Sequence, residues 1–126
     1  MNKKYVNDKL PCAIDAIKKC GIADKEDKVD KTYRGQISSF GAAVAMGSFK
    51  AAVAFFSDKG SASVDRFKLI QAMDYVVSGG EKVNDAKVIC KNILSMSDPS
   101  ETEKLKTQYL DASIAIKLAM NTYNLI

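Results

Sequence analysis

The sequence predicts an all-α protein, a compact bundle of about six helices in a single domain over residues 1–126. Three observations predict it. Ala, Lys, Leu and Ile are plentiful, while two prolines and no tryptophan are present, a composition that favours helix. Apolar residues recur at three- and four-residue spacing between breakers, and no segment sustains the period-two alternation of a half-buried strand. The 126 residues, 47% hydrophobic and 27% charged, suffice for one core without disulfide or metal staples.

The first helix is expected from about Asp8 to Cys20, with Leu10, Ile14 and Ile17 at helical spacing and Gly21 as its stop. Tyr5 and Val6 can extend it backwards past Pro11, since a proline is tolerated in a first turn and kinks an interior. The charged stretch from Ala23 to Lys31 reads as a solvated connector. A second helix follows, capped by Asp30, in which Tyr33, Ile37, Phe40 and Val44 build one apolar stripe. Gly41, Ala45 and Gly47 would let another helix approach its backbone. Gly47-Ser48 breaks that helix, and Ser48 caps a third carrying Phe49, Ala52, Val53 and Phe56, which stops at Asp58-Lys59-Gly60. Ser63 is expected to open a fourth through Val77, with Phe67, Ile70 and Val77 in the core and Gly79-Gly80 at its end. Asn84 to Met96 reads as a fifth, burying Val88, Ile89, Ile93 and Leu94. Asp98-Pro99 then acts as a breaker, and Ser100-Glu101-Thr102-Glu103 forms a capping box that starts the last helix. Leu105, Tyr109, Ala112, Ile116, Ala119 and Tyr123 repeat along that helix, a stripe that serves either as core or as an assembly surface.

The long apolar stretch from Phe40 to Phe56 would span about 25 Å as one helix. Its Ala and Gly content and the internal Lys50 favour a buried hairpin over a membrane span, so no membrane is expected among the partners.

Catalytic chemistry is not visible. With no histidine, nucleophile–base pairs of the common kinds are missing. Cys12, Cys20 and Cys90 are too few and too scattered for a zinc site, and their odd count argues against a disulfide framework. No glycine loop of a phosphate-cradling kind occurs. Asp24, Glu26 and Asp27 lie in the solvated connector, and Asp74 and Tyr75 have no partner recognisable from the sequence. The expectation is therefore no catalytic residue, no metal, no cofactor and no enzyme. The free cysteines point to a reducing compartment, and the amino terminus MNKKYVNDKLP lacks the apolar core of a signal peptide, so the expected location is cytoplasmic.

What remains is charge. The net charge of +4 is carried mainly by lysine, Arg34 and Arg66 being the two arginines. Lys18, Lys19, Lys31 and Arg34 surround the first connector, and Lys50, Lys59, Arg66 and Lys68 surround the third and fourth helices. These are either a solvated surface or a strip that follows phosphates by charge and counterion release. Lys50, set within SFKAAVAFF, either snorkels to water or points at an anionic partner.

The segment TYRGQISSFGAAVAMGSFKAAVAFFSDKG, residues 32–60, resembles the signature region of the small helical subunit of the type III-B CRISPR effector, the Cmr complex. Tyr33, Phe40, Ala42, Val44, Phe49, Ala51, Ala54 and Phe55 carry the match, and Tyr109, Ala112, Ile116 and Leu118 are similar to the family's last helix. Gly41 replaces a frequent proline, Gly47-Ser48 replaces an Asn-Gly, and YNLI replaces a Trp-containing basic ending. The related helical subunit of the type III-A complex stays open beside it. The resemblance implies a helical-bundle, non-catalytic subunit that stacks along the interior of a ribonucleoprotein. It would pack against repeat-associated backbone subunits and help line the channel for guide RNA and target RNA, with self-stacking left open. Charge in and beside the segment selects Arg34 and Lys50, then Lys31 and Lys18, as the nucleic-acid-binding candidates. The competing reading is a protein–protein adaptor without nucleic-acid contact, using the last helix through Tyr109 and Ile116. A cryptic enzyme would need a carboxylate such as Asp74.

Overall fold

The periodic apolar segments fold into six α-helices in the computed structural model, which describes residues 1–59 and 63–126. They are α1 (Lys3–Lys19), α2 (Thr32–Met46), α3 (Phe49–Phe56), α4 (Phe67–Val77), α5 (Ala86–Leu94) and α6 (Pro99–Ala119). A 3-10 turn, Met120–Thr122, and two two-residue strands, β1 (Lys28–Val29) and β2 (Asn124–Leu125), complete the chain. The fold is an all-α bundle, and one apolar core runs through all six helices. No helix among the described residues is long and apolar enough to cross a membrane.

Helix α6 is the spine: α1 packs along it, α4 and α2 against its other sides, and α3 and α5 close the bundle against α2 and α4. Helices α1 and α6 share the most extensive helix–helix contact of the bundle, and both carry small residues in the core. Ala13 and Ala16 on one helix, and Ala112, Ala115 and Ala119 on the other, are all buried, which lets the two backbones approach closely. The glycines of α2 do not have that role: Gly35 and Gly41 have open space where a Cβ would stand, and Ala45 is exposed. The largest fully buried side chains include Tyr109, Phe40, Phe56, Leu69, Ile70 and Met73, with Phe40 and Phe56 edge to face at 5.4 Å and Tyr109 edge to face with Phe49 at 5.4 Å.

Helices α1, α3, α5 and α6 start at side-chain oxygens, whereas the residues directly before α2 and α4 make no such cap bond. Ser48 accepts the amide of Ala51 at 3.0 Å and Asp85 those of Lys87 and Val88, so α3 and α5 are capped in the ordinary way. Helix α6 begins earlier than the capping box suggested. Asp98 Oδ1 accepts the amides of Ser100 at 2.9 Å and Glu101 at 3.4 Å, and Pro99 occupies the first helical position, where its missing N–H is harmless. The Asp98-Pro99 pair thus starts a helix as well as ending a connection. Helix α1 starts at Lys3, which leaves Pro11 in its interior. Pro11 and Asn7, whose carbonyl the missing amide would have met, are both exposed, so the unmade bond falls on the wet side.

Three further expectations shift. Ile14 is 37% exposed, because the face of α1 that meets the core is Val6, Ala13, Ala16 and Ile17. Helix α4 starts at Phe67 rather than Ser63 and buries Leu69, Ile70, Ala72, Met73, Tyr75 and Val76, leaving Phe67 and Val77 half-buried. On α5, Ile89 and Ile93 are buried but Val88 and Leu94 are exposed, since a nine-residue helix on the edge of the bundle buries one narrow face. Helix α3 ends at Phe56, just before the expected stop at Asp58-Lys59-Gly60, of which Gly60 lies outside the described residues.

The connector between α1 and α2 is less solvated than its charge implies. Val29 is fully buried, and β1 pairs in parallel with β2, tying the connector to the segment after α6. The amide of Asn124 donates to Asp27 O, that of Ile126 to Val29 O, and that of Lys31 to Ile126 O. Asp24 folds the turn by accepting the amides of Glu26 at 2.8 Å and Lys28 at 3.0 Å, bonds that hold its carboxyl below the usual range. Gly21, at φ +76°, lets the amide of Ile22 reach back to Ile17 O and end α1.

Asp74 and Tyr75, without partners in the sequence, both have them in the fold. The Tyr75 hydroxyl donates to Asp15 across the α1–α4 contact, and Asp74 accepts from Tyr109 and Asn84.

Two measurements follow from this packing. Asp98→Ala should lower stability by about 1 kcal/mol in urea unfolding while Ser100→Ala stays near neutral; equal effects would put the cap elsewhere. The hydrogen bond to Asp15 pushes the Tyr75 hydroxyl up to about 12, and burial pushes the Cys20 thiol up to about 12. Both folded values lie above the ordinary 10.0 and 9.0, so the neutral forms belong to the folded state. Their contribution is complete below the ordinary values and lost as pH rises through them toward about 12. The melting temperature should hold steady up to about pH 9 and then fall, less steeply in Tyr75→Phe.

Candidate nucleic-acid interface

The four basic candidates do not form one cluster. Lys31 and Arg34 stand one turn apart at the start of α2, hence on one side of it, Lys31 exposed and Arg34 half-buried. Neither makes an ion pair among the described residues. Lys18 lies near the end of α1 and reaches Asp27 in the connector at 3.5 Å, both side chains more than half exposed. Such a pair is worth roughly 0–1 kcal/mol, so Asp27 holds Lys18 only weakly. Because β1–β2 fixes the connector, Lys18, Lys31 and Arg34 all flank the same ordered segment.

Lys50 is elsewhere. It opens α3 after the hairpin, about 18 Å along the axis of α2 from Arg34. Its ammonium donates to Met96 O at 2.5 Å and Leu94 O at 3.4 Å. These are carbonyls at the end of α5, where a cation satisfies orphan acceptors and complements the helix dipole. Through these bonds the side chain ties α3 to the end of α5.

The amides at the start of α2 are also occupied. Asp30 Oδ1 accepts the amide of Thr32 at 2.9 Å, and that bond holds the Asp30 carboxyl below its usual range. The cationic groups at this end that are free of ion pairs among the described residues are therefore the Lys31 and Arg34 side chains, and the helix terminus offers no open amide.

Beside these cations, α2 presents a face of a different kind. Arg34 is the one charged residue in its 15, and the exposed positions are Gly35, Ser38, Ser39, Ala42, Ala45 and Met46. Ser38 and Ser39 bond back to the carbonyls of Arg34 and Gly35, so the face is small and neutral. Met46 at its end is 90% exposed, and Ala51, Ala54 and Phe55 on α3 are exposed as well.

The charge pattern of the sequence does not point to Phe55 as a contact residue. It is 60% exposed, and Arg66 lies over its ring at 4.1 Å while donating to its carbonyl at 3.0 Å. Phe55 and Phe56 point about 100° apart on α3, and only Phe56 falls on the face that meets the core. The nearby Lys59 and Lys68 share Asp65, at 3.6 and 3.8 Å, and Lys68 also donates to Gly21 O, which neutralises much of the positive charge in this second group. The last-helix stripe is core: Tyr109 and Ile116 are 1% and 0% exposed.

Among the described residues, no group of three His, Cys, Asp or Glu side chains is placed to hold a metal ion. Fold and surface together define a small helical bundle with a cationic helix end next to a neutral, small-residue face. No protein-family model, curated protein or solved structure matches the chain.

The different settings of the lysines are measurable. Lys50→Met should lower stability by roughly 1–2 kcal/mol in urea unfolding, while Lys31→Met changes it by less than about 0.5 kcal/mol. A neutral Lys50→Met would mean that its bonds to the end of α5 contribute nothing.

Proposed function

We propose that this chain is a non-catalytic small subunit of a type III-B CRISPR RNA-guided effector, the Cmr complex, acting in antiviral defence in the cytoplasm. In this reading it stacks beside the channel for guide and target RNA and contacts the repeat-associated backbone subunits. The observation that carries the proposal is how the resembling segment is used. Tyr33, Phe40, Val44 and Phe49 are buried and build the α2–α3 hairpin, whereas Ala42, Ala51, Ala54 and Phe55 are exposed. A core does not require particular residues at exposed positions, so the second set fits contact with neighbouring molecules. The uncharged face of α2 suits close packing of a protein subunit. Lys31 and Arg34, unpaired among the described residues at its edge, suit a phosphate backbone. Lys18 joins them by exchanging Asp27 for phosphate. Lys50 enters this reading as the tie that keeps α3 in place.

Purification of the tagged chain from its own cell tests the assembly. Guide-length RNAs with repeat-associated backbone proteins are expected to co-elute; an RNA-free preparation with unrelated partners would sink the proposal. The RNA contact is tested separately. Arg34→Glu should weaken association equally for unrelated RNA sequences and reduce the salt slope by about 0.7–0.9 for each phosphate no longer neutralised. An unchanged slope would remove Arg34 from the interface.

A further inference from the structure

Between α4, α5 and α6 lies a half-open cleft of about 320 Å³, away from the cationic end of α2. Asp74 reaches it from α4, Asn84 from the segment before α5, Val88 from α5, Met96 from just beyond that helix, and Leu105 and Tyr109 from α6. Its chemistry is lopsided. Val88, Ile89, Ile93, Met96 and Leu105 supply apolar wall, Asn84, Asn92 and Tyr109 supply neutral polar groups, and the one charged group lining it is the Asp74 carboxylate. Asp74 Oδ2 accepts from Asn84 Nδ2 at 2.9 Å, and Oδ1 accepts a longer bond, 3.3 Å, from the Tyr109 hydroxyl. Burial, with the charge of Asp74 added, pushes the Tyr109 phenol up, so it stays a neutral donor. Two neutral donors orient the carboxylate but leave its charge uncancelled, and acceptor sites on both oxygens remain free. No lysine or arginine lies within ion-pair distance of it among the described residues, although the chain carries 19 basic side chains against 15 acidic ones.

A half-buried anion beside the aliphatic side chains of a cleft is complementary to one class of ligand: a cation on an aliphatic stem. The stem replaces water along Val88, Met96 and Leu105, and the cation gains a charge-assisted hydrogen bond in a setting drier than bulk solvent. The volume lies at the small end for ligand sites, which matches a single alkyl chain and not a ring system. We infer that this cleft binds a primary alkylammonium group, supplied either by a free polyamine or by a lysine side chain.

The test is titration of the intact protein with n-butylamine, followed by the amide and methyl resonances of the cleft residues, with n-butanol as the uncharged match. Saturable shifts confined to Val88, Met96, Leu105 and Tyr109 with the amine, and binding at least about tenfold weaker with the alcohol, are expected. Equal binding of both, or shifts spread over the whole surface, overturns the inference. Asp74→Asn keeps the shape and should lose about tenfold or more in amine affinity. Val88→Trp, at a position already 54% exposed, should close the mouth without touching the carboxylate. A Val88→Trp protein that still binds the amine also overturns the inference. The source is read from spermidine against Nα-acetyl-lysine methylamide: tighter binding of the first assigns a free polyamine, and of the second a lysine side chain.

Discussion

Close contact between two helix backbones organises this protein. Helix α6, 21 residues and about 31 Å long, lies against α1, and both helices carry buried alanines. Small buried side chains let helix backbones come close, where many weak contacts add up, and a larger side chain at such a position would force its neighbours apart. With α1 and α6 joined in this way, the ends of both helices come together. The segment after α6 then lies beside the α1–α2 connector and pairs with it as β1–β2. The start of α2 inherits its position from that pairing, through the bond from the Lys31 amide to Ile126 O.

The surface follows from the same arrangement. Once Tyr33, Ile37, Phe40 and Val44 face inward, helical geometry leaves Gly35, Ser38, Ala42 and Met46 facing outward, and these carry no charge. A surface helix normally keeps lysine and glutamate on its outer side. Helix α2 instead concentrates its one charge, Arg34, at its beginning, next to Lys31. The result is a neutral face with a cationic edge, and the proposed role as an RNA-complex subunit draws on both.

Much of the fold is legible in the sequence because it depends on local rules. The α2 stripe, the Ser48 cap and the buried face of α3 stand as the spacing predicts, since i, i+3 and i+4 periodicity and side-chain capping act within a turn or two. Sequence and structure part where two local signals compete or where the decision is not local. Asp98-Pro99 reads equally as a breaker and as a cap followed by a first-position proline, and the capping-box pattern two residues later masks the second reading. Ile14 and Val88 have helical spacing, yet they fall just outside the stripe that a neighbour covers. Val29 sits in a run of charges, and nothing nearby in sequence announces that residues 124 and 125 will cover it.

Lys50 and Lys31 look alike as lysines beside an apolar segment. Their separation belongs to the tertiary structure, because the end of α5, more than forty residues away in sequence, supplies the carbonyls that claim Lys50. Asp74 gains its partners in the same manner, from α6 and from the segment before α5. The sequence by itself determined the class of fold, the number of helices and the identity of most core residues, because hydrophobic periodicity is a property of neighbours along the chain. Which cations stay free, which carboxylate lines a cleft and which phenylalanine faces outward were decided only in three dimensions. Those outcomes depend on what a distant helix brings alongside, and spacing along the chain carries no record of it.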